Sequence, residues 1–108
     1  MIEIKYGELS KRSLERYFKF LINKIYKILP MKEENCHTLK QYLESLQVEL
    51  IGNSELLEFL VDEPQFISLL NIIQYLISCE YDNKVCKREV FKAIKLIENI
   101  NSKYFKEV

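Results

Sequence analysis

Apolar residues recur at three- and four-residue steps along most of the chain. Leu14, Tyr17, Phe18, Leu21, Ile25, Ile28 and Leu29 fall on one face, the signature of a helix with one buried side. The spacing predicts a helix from Ser10 or Ser13 to Leu29, and Phe20, Ile22 and Tyr26 widen its apolar face enough for more than one neighbour. Pro30 biases Leu29 away from helical geometry and is expected to end the run. Met31 to His37 then reads as a charged loop. Thr38-Leu39-Lys40-Gln41 is a capping box that opens a second helix, since the Thr hydroxyl can accept from the Gln41 amide while the Gln side chain reaches back. Leu39, Tyr42, Leu43, Leu46 and Leu50 form its stripe, and Gly52 suits the left-handed position just past a helix end. Ser54 is expected to cap a short third helix through Val61, with Leu56, Leu57, Leu60 and Val61 inward.

A fourth helix is expected from Pro64, a residue suited to the first helical turn behind Asp62 or Glu63, to about Glu80. Phe66, Ile67, Leu69, Leu70, Ile72, Ile73, Leu76 and Ile77 make it apolar nearly all round, which predicts the central element of a bundle. The alternative is a partly exposed groove or a homodimer face on the Phe66–Ile77 helix. Asp82 or Asn83 caps a last helix from Lys84 to about Asn101 or beyond, with Cys86, Val90, Ala93, Ile97 and Ile100 on one seam. The tail 102–108 is expected to fray unless Tyr104 and Phe105 pin it. At the other end Ile2, Ile4 and Tyr6 alternate up to Gly7, a strand signal with no second clear strand. Residues 1–9 are therefore expected as an extended arm, a strand pairing across a dimer, or a frayed terminus. The whole reads as one all-α domain over 1–108, a compact bundle of four main helices plus one short helix.

Composition narrows the class without naming a function. With 48% hydrophobic and 30% charged residues in 108, the chain is not disordered, and Gly 2 and Pro 2 argue against a turn-rich β fold. Lys and Ile, each occurring 13 times, against a single Ala and 3 Arg point to an AT-rich genome. No apolar segment follows a basic leader at the start, and no run approaches the roughly 20 apolar residues that span a bilayer. The expectation is a soluble, cytoplasmic protein with no membrane partner. Three cysteines without CxxC spacing fit reduced thiols.

Charge changes the picture more. The net charge is zero, but residues 1–29 carry +4, residues 30–82 carry −8 and residues 83–108 carry +4. Solvated helix faces are one reading of this layout. Complementary faces toward a partner are the other, and they give two candidate partner-binding sets: acidic Glu55, Glu58, Asp62 and Glu63, and basic Lys84, Arg88, Lys92 and Lys95. The basic set sits at helical spacing and can meet phosphates, so nucleic acid is the alternative partner. A helix–turn–helix built from Thr38–Ile51 and Ser54–Val61 would put Glu55 and Glu58 where a recognition helix faces DNA, which argues against that mode.

Catalytic and metal chemistry find little support. Cys36, His37, Cys79 and Cys86 lack the close spacing of a zinc knuckle. Glu34-Asn35-Cys36-His37 is a single Glu-x-x-His motif in an expected loop, where a di-iron bundle needs two on helices. His37, the one histidine, is not shown by its spacing to face a thiol. Gly7 and Gly52 cannot build a phosphate loop. No cofactor and no enzymatic activity are expected.

Lys27-Ile28-Leu29-Pro30-Met31-Lys32-Glu33-Glu34, the stretch from Tyr42 to Gly52, the Phe66–Ile77 run and Lys87-Arg88-Glu89-Val90-Phe91 resemble small uncharacterised helical proteins of phages and mobile elements of low-GC Gram-positive bacteria. The resemblance touches residues 27–91 and carries over no site residue. It implies a phage-type accessory protein that binds and modulates or inhibits a host bacterial protein, as anti-CRISPR inhibitors do. The expected function is thus a non-catalytic protein-binding module, with nucleic-acid binding through the last helix as the alternative.

Overall fold

In the computed structural model, described over residues 2–4, 7–9, 11–56, 60, 62–78 and 80–105, five helices follow a short hairpin. They are α1 (Lys11–Tyr26), α2 (Ile28–Glu33), α3 (Leu39–Leu56), α4 (Pro64–Ser78) and α5 (Asn83–Phe105). β1 (Ile2–Ile4) pairs antiparallel with β2 (Gly7–Leu9), with Ile2 opposite Leu9 and Ile4 opposite Gly7. The extended arm thus has its partner within the chain, and Gly7 begins the second strand instead of stopping the first. The all-α bundle of four long helices and one short helix is as expected, but the short helix lies at α2.

Two breaks fall elsewhere than the pattern predicted. Pro30 does not end α1. The helical run pauses at Lys27, which keeps helical angles (φ −62°, ψ −20°), and resumes with Pro30 as the third residue of α2, where a missing N–H costs little because first-turn N–H groups have no partner in the helix. Of the segment expected as a loop, Met31 to His37, residues 31–33 are instead the end of α2, and residues 34–37 are the turn that follows it. There Cys36 N–H donates to Met31 O and Asn35 N–H to Lys32 O, with Asn35 at a positive φ of 51°. This is the Schellman arrangement, with Asn in the role glycine more often takes.

Gly52 likewise ends nothing, because α3 continues through it to Leu56. A Cβ there would meet nothing within 4 Å. The Ser54 hydroxyl donates back to the Ile51 carbonyl within α3 and caps no new helix. Residues 57–59 and 61 of the expected third helix lie outside the described residues. At the start of α3 the Thr38 hydroxyl meets Cys36 Sγ at 3.0 Å, the position the capping box assigned to the Gln41 amide. Two caps hold as expected. Val85 N–H donates to Asp82 Oδ1 at 2.8 Å at the head of α5, and Pro64 opens α4 behind Glu63.

The core is one cluster drawn from every helix, including Leu14, Phe18, Leu21 and Ile25 of α1, Leu43, Leu46 and Leu50 of α3, and Phe66, Leu69, Ile73 and Leu76 of α4. Its hub is α5, which packs against α1, α2 and α4; α4 packs against α3 and α5. The more apolar helix is therefore not the central one. The seam Cys86, Val90, Ala93, Ile97 and Ile100 is completely covered, and the small side chains of Cys86 and Ala93 allow neighbours to approach closely. Between α1 and α3 the ties are polar: Lys24 pairs with Glu49, the Tyr42 hydroxyl donates to the Lys24 carbonyl at 2.6 Å, and Asn53 Nδ2 donates to the Tyr17 hydroxyl at 2.8 Å. Among the described residues no helix is long and apolar enough to cross a membrane.

Candidate functional site

Lys84, Arg88, Lys92 and Lys95 all stand exposed on α5. Steps of four, four and three residues keep them on the side opposite the buried seam, over about 16 Å of helix axis. Glu89, nearly buried among them, lies 3.5 Å from Arg88 Nη2 and 3.6 Å from Lys92 Nζ. Both cations stay largely in solvent, so each pair is worth at most about 1 kcal/mol and leaves the face basic.

The stripe nevertheless divides. Lys84, with Lys32 and Lys87, lines an open hollow of about 440 Å³ beside α2. Lys92 and Lys95 line another of about 460 Å³ against α4, floored by Ile72 and Leu96. Because α1 packs on α5, the two basic helices, far apart in sequence, become neighbours in space. Tyr26 of α1 meets Phe91 of α5 edge to face at 6.0 Å, and both rings remain 43% exposed. Arg12, Arg16 and Lys19 are exposed on the same helix as Tyr26, and Lys27 is exposed at the turn that follows it.

The acidic set does not assemble. Glu55 is exposed on the last turn of α3 and Asp62 is exposed before α4, while Glu58 lies outside the described residues. Glu63 is 3% exposed, and its Oε2 accepts from the Gln65 N–H at 3.2 Å. It is a correction to the docking set, because its carboxylate serves the head of α4, where first-turn N–H groups and the helix dipole favour negative charge.

A third hollow, about 500 Å³, lies between α3 and α4 and is lined by Cys36, His37, Lys40, Leu43, Glu80 and Tyr81 among others. The Thr38 hydroxyl and backbone N–H stabilise the Cys36 thiolate and lower its pKa. Burial pushes the Cys86 thiol the other way. Of the four residues weighed for zinc, Cys36 and His37 share this hollow, Cys86 is buried in the α5 seam beside another, and Cys79 lies outside the described residues. No group of three metal-ligating side chains forms among the described residues. Tyr81 links the end of α4 to the start of α5: its hydroxyl donates to the Leu76 carbonyl at 2.8 Å and its ring stacks on Tyr75 at 6.0 Å. Burial pushes that phenol up to about 12.

The outer side of the α3–α4 layer differs from the rest. Helix α4 contains no charged residue, yet Ile67, Ser68, Asn71, Gln74 and Ser78 face solvent. Beside it Val48 is 70% exposed and Ile51 46% exposed on α3. Val48 lies off the Leu39–Leu50 stripe, and that displacement is the sequence signal that marks it as an apolar residue with no internal partner. The Tyr26–Phe91 pair carries no such signal, because which edge of α1 meets α5 is decided by tertiary packing.

No family model, no curated protein and no solved structure matches the chain.

Proposed function

We propose that the protein is a non-catalytic binding module that engages an acidic surface of another protein through the α5 cations and the adjoining Tyr26–Phe91 pair. The observation that carries this reading is the α1–α5 packing, which places two exposed aromatic rings beside basic segments far apart in the sequence. Aromatic and arginine side chains supply most interface hot spots, and surrounding charge steers encounter and selects partners. With the resemblance to phage accessory proteins, the proposed partner is a host bacterial protein that the module modulates or inhibits.

Reversing Lys84, Arg88, Lys92 and Lys95 to Glu together is expected to abolish the host-protein complex while leaving the helical circular dichroism unchanged. A complex retained at wild-type affinity would defeat the proposal.

The second reading is nucleic-acid binding, favoured by the unbroken exposure of the four-residue stripe. Four phosphate contacts would give a log affinity against log salt slope of about −3.6 on duplex DNA. A titration with DNA and RNA at two salt concentrations separates the readings.

A further inference from the structure

The hollow between α4 and α5 and the bare apolar stripe on α3 flank the same uncharged helix from opposite sides. On α3, Glu44, Val48, Ile51 and Glu55 follow one another at steps of four, three and four residues, a single outer stripe with apolar residues between two carboxylates. Across α4, the hollow has an Ile72 and Leu96 floor and a Lys92 and Lys95 rim. The stripe is a ridge with acidic ends, and the hollow is a groove with a basic edge. Each has the shape and charge the other lacks.

The heights along the bundle agree as well. The Gln47 side chain donates to Gln74 at 2.7 Å across α3 and α4, and the third hollow joins Leu43 to Leu76, so the two helices run antiparallel with Val48 at about the level of Ile72. Glu55 then falls within about one turn of the level of Lys95.

We propose that the protein pairs with a second copy of itself through this layer, about a two-fold axis running parallel to α4. That axis exchanges the two flanks of α4. It seats the Val48 ridge of each copy in the Ile72–Leu96 groove of the other and brings each Glu55 toward the other copy's Lys95. A two-fold perpendicular to α4 would instead oppose the cations of both copies, which like-charge repulsion disfavours. The uncharged α4 lies on the axis, where each of its residues approaches its own counterpart and any charge would meet itself.

Scale sets the strength. Helix α4 is about 22 Å long and neighbouring helices sit 8–10 Å apart, so the layer presents on the order of 500 Å² per copy. That is below the roughly 800 Å² per partner of standard interfaces, and the expected dimer is reversible and concentration-dependent.

Sedimentation of the purified full chain across a concentration series tests this. The wild type is expected to shift from monomer to dimer. Val48→Arg puts an unpaired charge into the groove, and is expected to raise the dissociation constant at least about tenfold. Glu55→Lys or Lys95→Glu alone is expected to weaken the dimer roughly three- to tenfold, and the double exchange to restore it. All three positions are exposed, so folding, followed by circular dichroism, stays intact. A wild type that is monomeric throughout, a dimer indifferent to Val48→Arg, a double exchange no better than either single one, or growth beyond a dimer would each overturn the proposal.

Discussion

Helices α4 and α5 invert the usual association between greasiness and burial. Helix α4 carries no charge, yet leaves Ile67 46% exposed and Ile72 and Ile77 only half-buried. Helix α5 carries Lys, Arg and Glu along its length, yet has Val90, Ala93, Ile97 and Ile100 at 0% exposure. Burial follows the regularity of the stripe and the size of its members, not the number of apolar residues. The α5 seam is narrow, continuous and partly built from small side chains, so three helices can approach it. The apolar surface of α4 is wider than α3 and α5 together can cover.

The sharpest way to break the comparison is to make the same truncation on each helix. Ile97→Ala on α5 is expected to cost about 2–5 kcal/mol, because the methylenes and the cavity both count in a closed core. Ile67→Ala on α4 is expected to stay within about 1 kcal/mol, because half of that side chain already meets water. Chemical denaturation of dilute protein reads both, and equal losses would remove the distinction drawn here. Adding atoms should split the regions in sign. Ala93→Leu overfills the seam and is expected to cost about 1–3 kcal/mol. Gly52→Ala, on the outer layer, meets open space inside α3 and is expected to gain close to 1 kcal/mol from helix propensity alone.

The smallest effect concerns the joint between the two helices. The Tyr81 phenol has an ordinary pKa of 10.0 and is raised to about 12 by burial. The folded form therefore holds its proton where the unfolded chain has lost it. Its contribution to stability is complete below pH 10 and declines as pH rises from 10 through 12. Denaturation curves across that window should fall less steeply for Tyr81→Phe than for the wild type, and a tyrosinate absorbance titration of both locates the group.

Much of the bundle was legible in the chain because helix faces are local. The Leu14–Ile28 and Leu39–Leu50 stripes, the Asp82 cap and the Pro64 start all needed only neighbours within a turn or two. What was misread depended on competition between local signals and packing. Pro30 and Gly52 are breakers only where the backbone needs an N–H or a left-handed turn. Here one sits in a first turn and the other in open space within a helix held by the buried Leu43, Leu46 and Leu50. Asn35 closed a helix that the missing glycine had hidden. Of the candidate surfaces, the Lys84–Lys95 stripe was visible as periodicity. The fate of Glu63 was not, because whether a carboxylate before proline faces solvent or caps the helix depends on how the preceding segment enters. The division of the cations between two hollows depends on which helices flank α5, and no local pattern encodes that.

The position of α5 at the hub also sets the timetable of folding. Among the described helices it comes latest in the sequence, yet α1, α2 and α4 all pack on it. Until its seam arrives, the nascent chain displays Phe18, Leu21 and Ile25 without their backing, and the closing contacts join segments most of the sequence apart, which slows the search. Closure of the core around α1, α2 and α4 therefore waits on the α5 seam.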